Sequence, residues 1–148
     1  MIPTWSWLPF DRLSPRELYA LMALRQAVFV VEQRCAYLDA DGRDPDAHHL
    51  LGWSDGALVA ALRAFPPDED GMVWIGRVVT SPAVRGTGLG RPLMREGLRR
   101  AEGTFGLTPV RIGAQAHLEP FYASVGFAVC GPGFMEDGIP HVPMVHRK

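Results

Sequence analysis

The sequence predicts a mixed α/β fold, one sheet with helices packed on it, and three observations carry that expectation. Apolar residues recur at helical spacing behind a capping box at Ser14 and Glu17; several short β-branched runs are bounded by turn residues; and a second helical pattern follows one of those runs directly through a glycine-rich bend. Strands interrupted by helices in this order call for a layered α/β domain. A length of 148 residues suits a single domain spanning residues 1–148.

The elements follow in order. "TWSWL" is a short strand candidate. In "SPRELYALMALRQAVFVVEQ" Ser14 can cap, Pro15 fits the first helical position, and Leu18, Leu21, Met22, Arg25, Val28 and Phe29 mark a helix ending near Gln33. After the polar loop "YLDADGRDPDA", the runs "HHLLGWS" and "ALVAALRAF" meet across Asp55-Gly56, a dipeptide that favours a two-residue hairpin turn. "MVWIGRVVT" is the most strand-like segment and suits a central position. Leu89, Leu93, Met94 and Leu98 predict a helix from about Gly88 to Glu102, with Gly103 as its stop. "PVRIGA" then reads as strand, "HLEPFYASV" as a short helix, "FAVCG" and "HVPMVHR" as closing strands, and "MEDGIPH" as the turn between them.

Composition excludes several functions. The formal net charge is −1, Lys148 is the sole lysine, and charges of both signs are interspersed, so no nucleic-acid partner is expected. Cys35 and Cys130 lie far apart without metal-ligand spacing, which predicts no metal, no disulfide framework and a reducing, cytoplasmic location. No apolar run reaches the ~18 residues of a bilayer span, so no membrane partner is expected either. Asp39, Asp41, Asp44 and Asp46 are expected to form a solvated loop. They are no EF-hand, because setting Gly42 at the invariant sixth position puts Tyr37 and His48 at the first and last ligands.

The stretch "RVVTSPAVRGTGLGRPLM" carries the chemistry. A strand that passes through a glycine turn into a helix N-terminus presents unpaired N–H groups and the positive end of a helix dipole, a site for phosphate. Gly86, Gly88 and Gly90 let an anion approach the backbone. A Walker loop would end in Gly-Lys-Ser/Thr where this chain has Gly90-Arg91-Pro92, and the Rossmann fingerprint would need a glycine where Arg91 stands. Arg91, Arg95 and Arg99 share one helix face, either solvated or within reach of the phosphates.

Arg85-Gly86-Thr87-Gly88-Leu89-Gly90 resembles the Arg/Gln-x-x-Gly-x-Gly/Ala pyrophosphate loop of the GNAT superfamily of acyl-CoA-dependent N-acyltransferases. "RVVTSP" is similar to the strand before that loop, "FYASVGF" to the family's later Tyr-x-x-x-Gly-Phe element, and Gln115 stands where many members carry Asn. "LRQAVFVVEQRCAYLDADGRDPDAHHLLG" and "EDGIPHVPM" resemble the ElaA-like branch, so the likeness covers most of the chain.

The resemblance implies a mostly antiparallel central sheet flanked by helices and an N-acetyltransferase that moves the acetyl group of acetyl-CoA directly to an amine, of a small molecule or a protein. It implies that Val78, Val79 and Thr80 pair with the pantetheine arm, that Arg85, Gly86, Thr87, Gly88, Leu89, Gly90 and Gln115 bind the cofactor, and that a backbone N–H of the same strand receives the oxyanion. Tyr122 is the general-acid candidate for the leaving thiolate, because a phenol with a reference pKa of ~10 is protonated at neutral pH. The base stays open among Glu32, His48, Glu136 and His141, since Val110 stands where some relatives carry Glu. His48 and His49, adjacent in a strand, should point to opposite faces, so they cannot both serve one site. The missing carboxylate keeps a second function open, a non-catalytic acyl-CoA-binding or sensing domain; a homodimer is equally open. An acyl-homoserine-lactone-synthase-like enzyme would share "LRQAVFVVEQ" but not the glycine loop.

Overall fold

A computed structural model describes residues 2–147. The elements are β1 (Thr4–Pro9), α1 (Pro15–Arg25) continuing into a π-helical segment (Gln26–Glu32), β2 (His48–Ser54), β3 (Ala57–Phe65), β4 (Val73–Thr80), α2 (Gly90–Phe105), β5 (Val110–Gln115), α3 (Glu119–Ser124), β6 (Phe127–Val129), β7 (Phe134–Glu136) and β8 (Ile139–His146). They form one 8-stranded sheet in the order β1-β2-β3-β4-β5-β8-β6, with β7 also on β8. Among the described residues only the β4–β5 contact is parallel; the other pairs are antiparallel.

Both faces of the sheet are covered, and strand periodicity shows how. Leu50, Ala60, Leu62 and Ala64 pack with Leu93, Met94 and Leu98 of α2 and with Tyr122 of α3. Their neighbours Leu51 and Ala61 join Leu21, Leu24 and Val28 on the opposite face. Successive residues of β2 and β3 thus serve opposite layers, which explains why those strands read as continuous apolar runs.

Local chemistry sets the boundaries. The Glu17 N–H donates to Ser14 Oγ at 3.1 Å and the Ser14 N–H to Glu17 Oε1 at 2.8 Å, so the capping box forms with Pro15 in the first turn. Asp55 and Gly56 take φ of 51° and 78° between β2 and β3, the left-handed pair a type I′ hairpin needs. Helix α2 runs past Gly103 to Phe105, which packs against the core, and Gly106 ends it at φ 87°. The segment read as a turn, "MEDGIPH", is a hairpin: β7 and β8 pair on either side of Asp137 and Gly138, both at positive φ.

The acidic loop departs most from its expected solvation. Asp39 and Asp44 are only 5% and 6% exposed and Arg25 is 1% exposed. Arg25 Nε lies 2.8 Å from Asp39 Oδ2 and its Nη1 2.7 Å from Asp44 Oδ1. Arg63 reaches Asp44 Oδ1 at 2.9 Å and Asp41 Oδ2 at 2.7 Å, while Arg77 Nε lies 2.9 Å from Asp39 Oδ1. The loop is therefore sewn to α1, β3 and β4 by a three-arginine lattice; charges this buried persist only when paired. Asp46, by contrast, is exposed.

The lattice predicts acid lability. Hydrogen bonds from Arg63 hold the Asp41 carboxyl well below the usual carboxylate range. Burial pushes Asp44 up, but Arg25 and Arg63 outweigh it, and the net shift is down. A depressed folded pKa stabilises above the unfolded value of ~3.9, and that stability is lost as pH falls through the folded pKa. Urea midpoints followed downward from neutral pH should therefore fall faster for the parent than for Asp41→Asn once the pH drops below about 4, and the two curves should converge.

Candidate functional site

The site begins where the sheet comes apart. Strands β4 and β5 pair only at Val73–Val110 and Trp74–Arg111. Opposite the single residue Leu62 of β3, β4 places both Arg77 and Val78, because Ala61 pairs with Val79 and Arg63 with Gly76. This is a β-bulge, which bends its strand, and Arg77 sits in it at φ 49°, in the region usually left to glycine. A cleft of about 460 Å³ occupies the gap, lined by Ile75 to Thr80 of β4, by Ile112, Gly113 and Gln115 of β5, and by Tyr122. The π-helical segment adds Val28, Phe29 and Glu32, and the β7–β8 hairpin adds Glu136, Asp137, Ile139 and His141.

The glycine loop adjoins the cleft through Arg85, while Gly86, Thr87, Gly88, Leu89 and Gly90 are not part of its lining. Ser81 Oγ accepts from the Ala83 N–H at 3.3 Å, the Thr87 hydroxyl donates to the Val84 carbonyl at 2.6 Å, and Val84 and Leu89 are buried beneath the turn. Gly86 and Gly88 have φ of 84° and 77°, and a Cβ at either would meet nothing within 4 Å. Helix α2 has Leu89 at its N-cap with no side-chain cap bond, so its first-turn N–H groups have no capping side chain. The conformation, the open space and the uncapped helix end together fit an anionic group.

Arg85 lines the cleft and forms a two-pronged ion pair with Glu32, one prong being Nη2 to Oε1 at 2.6 Å. Arg99 pairs with Glu96 on its own helix at 2.6 Å, and Arg91 donates to the Ser124 carbonyl at 3.2 Å.

The predicted site residues divide. Val78, Val79, Thr80, Arg85, Gln115, Tyr122, Glu32, Glu136 and His141 all line the cleft. Tyr122 is buried with its ring against the edges of Phe121 and Phe127, at 5.1 and 5.9 Å between centroids, and burial pushes its phenol up to about 12. The Gln115 side-chain amide makes a long contact of 3.4 Å to Gln33 Oε1. The hydrogen bonds from Arg85 lower the pKa of Glu32 and make it a weaker base. His141 Nδ1 is 2.7 Å from the Ile139 carbonyl and Nε2 is 3.5 Å from Glu136 Oε2, with Phe134 stacked on the ring. A carbonyl only accepts, so Nδ1 carries a hydrogen, and in the neutral ring Nε2 would hold the lone pair.

His48 is corrected: it is not in the cleft. It stacks on Trp7 at 5.2 Å and meets the edge of Phe105 at 5.4 Å, and β3 separates its strand from the β4–β5 opening. His49 lies buried with Nε2 2.9 Å from the Asp44 carbonyl. Several cleft residues were not assigned to the site from the sequence, among them Cys35, Tyr37, Arg77 and His117. The Tyr37 hydroxyl donates to Asp39 Oδ1 at 3.1 Å, and the Cys35 thiol to the Asp137 carbonyl at 3.3 Å. The available signal for Arg77 was a lone charge inside the most β-branched run of the chain. Among the described residues no group of three or more His, Cys, Asp or Glu is arranged to hold a metal ion, and no helix is long and apolar enough to cross a membrane.

Residues 20–148 match the family described as acetyltransferase (GNAT) domain. The chain is 47% identical over 146 residues to the protein ElaA of Escherichia coli, covering 97% of this chain and 95% of that one. A crystal structure of Escherichia coli ElaA superposes with a TM-score of 0.91 at 43% identity, over 99% of this chain and 100% of that one. An acyl-CoA N-acyltransferase from Pseudomonas aeruginosa superposes with a TM-score of 0.92 at 46% identity, over 97% and 99% of the two chains. An aminoglycoside 6'-N-acetyltransferase complexed with coenzyme A shares the fold at a TM-score of 0.72 and 16% identity, over 95% of each chain.

Proposed function

The chain belongs to the acetyltransferase (GNAT) family, and from that premise we propose that it transfers the acetyl group of acetyl-CoA directly to an amine, of a small molecule or of a protein. The observation that carries this reading is that one cleft gathers the unpaired edge of β4, Tyr122, His141 and Arg85, the residue that opens the glycine bend. The N–H groups around Gly86, Gly88 and Gly90, with Arg85, would hold the pyrophosphate, and Val78, Val79 and Thr80 the pantetheine arm. Tyr122 would supply a proton to the leaving sulfur. His141 Nε2 would take the proton of the attacking ammonium, and Glu136 would stabilise the imidazolium so formed. The free cysteines Cys35 and Cys130 fit a cytoplasmic location.

The test is a panel of amines assayed for thiol release from acetyl-CoA. Release that depends on particular amines supports the transferase. Tight acetyl-CoA binding with no release for any amine would sink it in favour of a sensing domain. Within this reading Arg85→Ala should weaken acetyl-CoA binding and flatten its salt dependence, whereas Arg99→Ala, whose partner is Glu96, should do neither. Equal effects in calorimetry would remove Arg85 from the phosphate site.

A further inference from the structure

Of the three lattice arginines, Arg77 alone lines the cleft. It also holds the backbone conformation that a side chain rarely adopts, at the one residue where β4 bulges. Its guanidinium is held on several sides: it pairs with the Asp39 carboxylate, Nε lying 2.9 Å from Oδ1 without a hydrogen bond, Nη2 donates to the Asp39 carbonyl at 3.3 Å and to Asp41 Oδ2 at 3.4 Å, and the group lies over the Tyr37 ring at 5.5 Å. Asp39 is itself immobilised, because Arg25 Nε binds its carboxylate at 2.8 Å and Arg25 Nη2 its carbonyl at 2.9 Å. A strained residue persists only where its surroundings over-determine it, and this lattice does so.

We infer that Asp39 is a positioning residue for acyl transfer: through Arg77 it fixes the bulge that turns the edge of β4 toward the cleft. Asp39 does not line the cleft itself. The same carboxylate also holds Tyr37, a second cleft-lining residue, beside the strand that would orient the thioester. This inference rests on the acyltransferase reading for its consequence in catalysis, but not for its consequence in the backbone.

The test compares glycine with alanine at one position. Arg77→Gly removes the latch but allows the left-handed conformation; Arg77→Ala removes the latch and opposes it. Turnover should fall about fivefold in Arg77→Gly and about 10²-fold in Arg77→Ala, the size of effect a misplacement near 1 Å produces. KM for acetyl-CoA should rise in Arg77→Ala by less than turnover falls, because the strand that would hold the pantetheine arm shifts while the glycine loop is untouched, and it should stay near the parent's in Arg77→Gly. Equal losses in the two variants would mean that the Arg77 side chain acts directly, and would overturn the inference. Should Arg77→Ala fail to fold, Asp39→Asn decides: it should lower turnover about tenfold in the parent and cause no further loss in Arg77→Gly, whereas the same loss in both would overturn the inference. Deuterium uptake across residues 76–80 needs no substrate. It should rise in Arg77→Ala and stay near the parent's in Arg77→Gly, and identical uptake in the two variants would refute the backbone role. A parent without turnover for any amine would defeat the acyltransferase reading while leaving this last measurement decisive.

Discussion

Tyr122→Phe is expected to lower turnover about 10²-fold while leaving acetyl-CoA affinity nearly unchanged, the lower end of the 10²–10⁴ range for a positioned acid. The ring keeps its contacts with Phe121 and Phe127, so packing should survive. Burial pushes the phenol up to about 12, which keeps it protonated at every working pH. The same burial makes it a weaker acid than a thiol of reference pKa ~8.5, so complete transfer to a free thiolate would be uphill. The hydroxyl therefore assists most while the carbon–sulfur bond is breaking, which is why the low end of the range is expected. Acyl donors with more acidic thiols should narrow the gap between parent and variant. A uniform defect across donors, measured by steady-state kinetics, would exclude acid catalysis, and full activity would return Tyr122 to a packing role.

Gly88→Glu is expected to weaken acetyl-CoA binding by at least about 100-fold, equivalent to roughly 2.7 kcal/mol. Two effects act together. At φ 77° a side chain adds about 1–2 kcal/mol of backbone strain, and the new carboxylate stands where the bend would receive phosphate. No steric collision contributes, because the space at that Cβ is open to 4 Å. Gly88→Ala separates the effects, since it shares the strain without the charge and should lose distinctly less affinity. Gly88 is itself exposed with open space at its Cβ, so the thermal midpoint of either variant should move by only a few degrees. Calorimetry showing parental affinity for Gly88→Glu would remove the phosphate site from this bend.

Elements specified by local chemistry were legible in the sequence. The Ser14–Glu17 box, the Asp55-Gly56 turn and the glycine bend each depend on residues a few positions apart, and periodicity supplied the strands between. The same Asp-Gly signal at Asp137-Gly138 was read only as a turn because β7 is 3 residues long and exposed throughout, too short to show alternation. The lattice was illegible for a different reason. Its ion pairs join residues 14 to 38 apart in sequence, and only their meeting in space buries Asp39 and Asp44. A partial trace existed: Arg25 interrupts the apolar stripe of its helix and Arg63 the apolar run of its strand, and a charge on a buried face requires a partner. His48 was misplaced because strand parity separates it from His49 but does not say which of the two, if either, reaches a cleft two strands away.

The strand order also sets a timetable for folding. Strands β2, β3 and β4 each pair with the strand before them in the chain; the β2–β3 and β3–β4 contacts are of short sequence separation and should form early, whereas β1 meets β2 across α1 at 39 to 49 residues' distance in sequence. Strand β5 meets β4 at only two residue pairs, and its principal partner, β8, is synthesised after everything else in the sheet. Strand β6 waits for the same partner. Until β8 arrives, the edges of β5 and β6 are open templates for pairing with other chains. The last strand to emerge thus acts as a built-in chaperone for the second half, and slowing its synthesis lengthens the interval in which the nascent chain can aggregate.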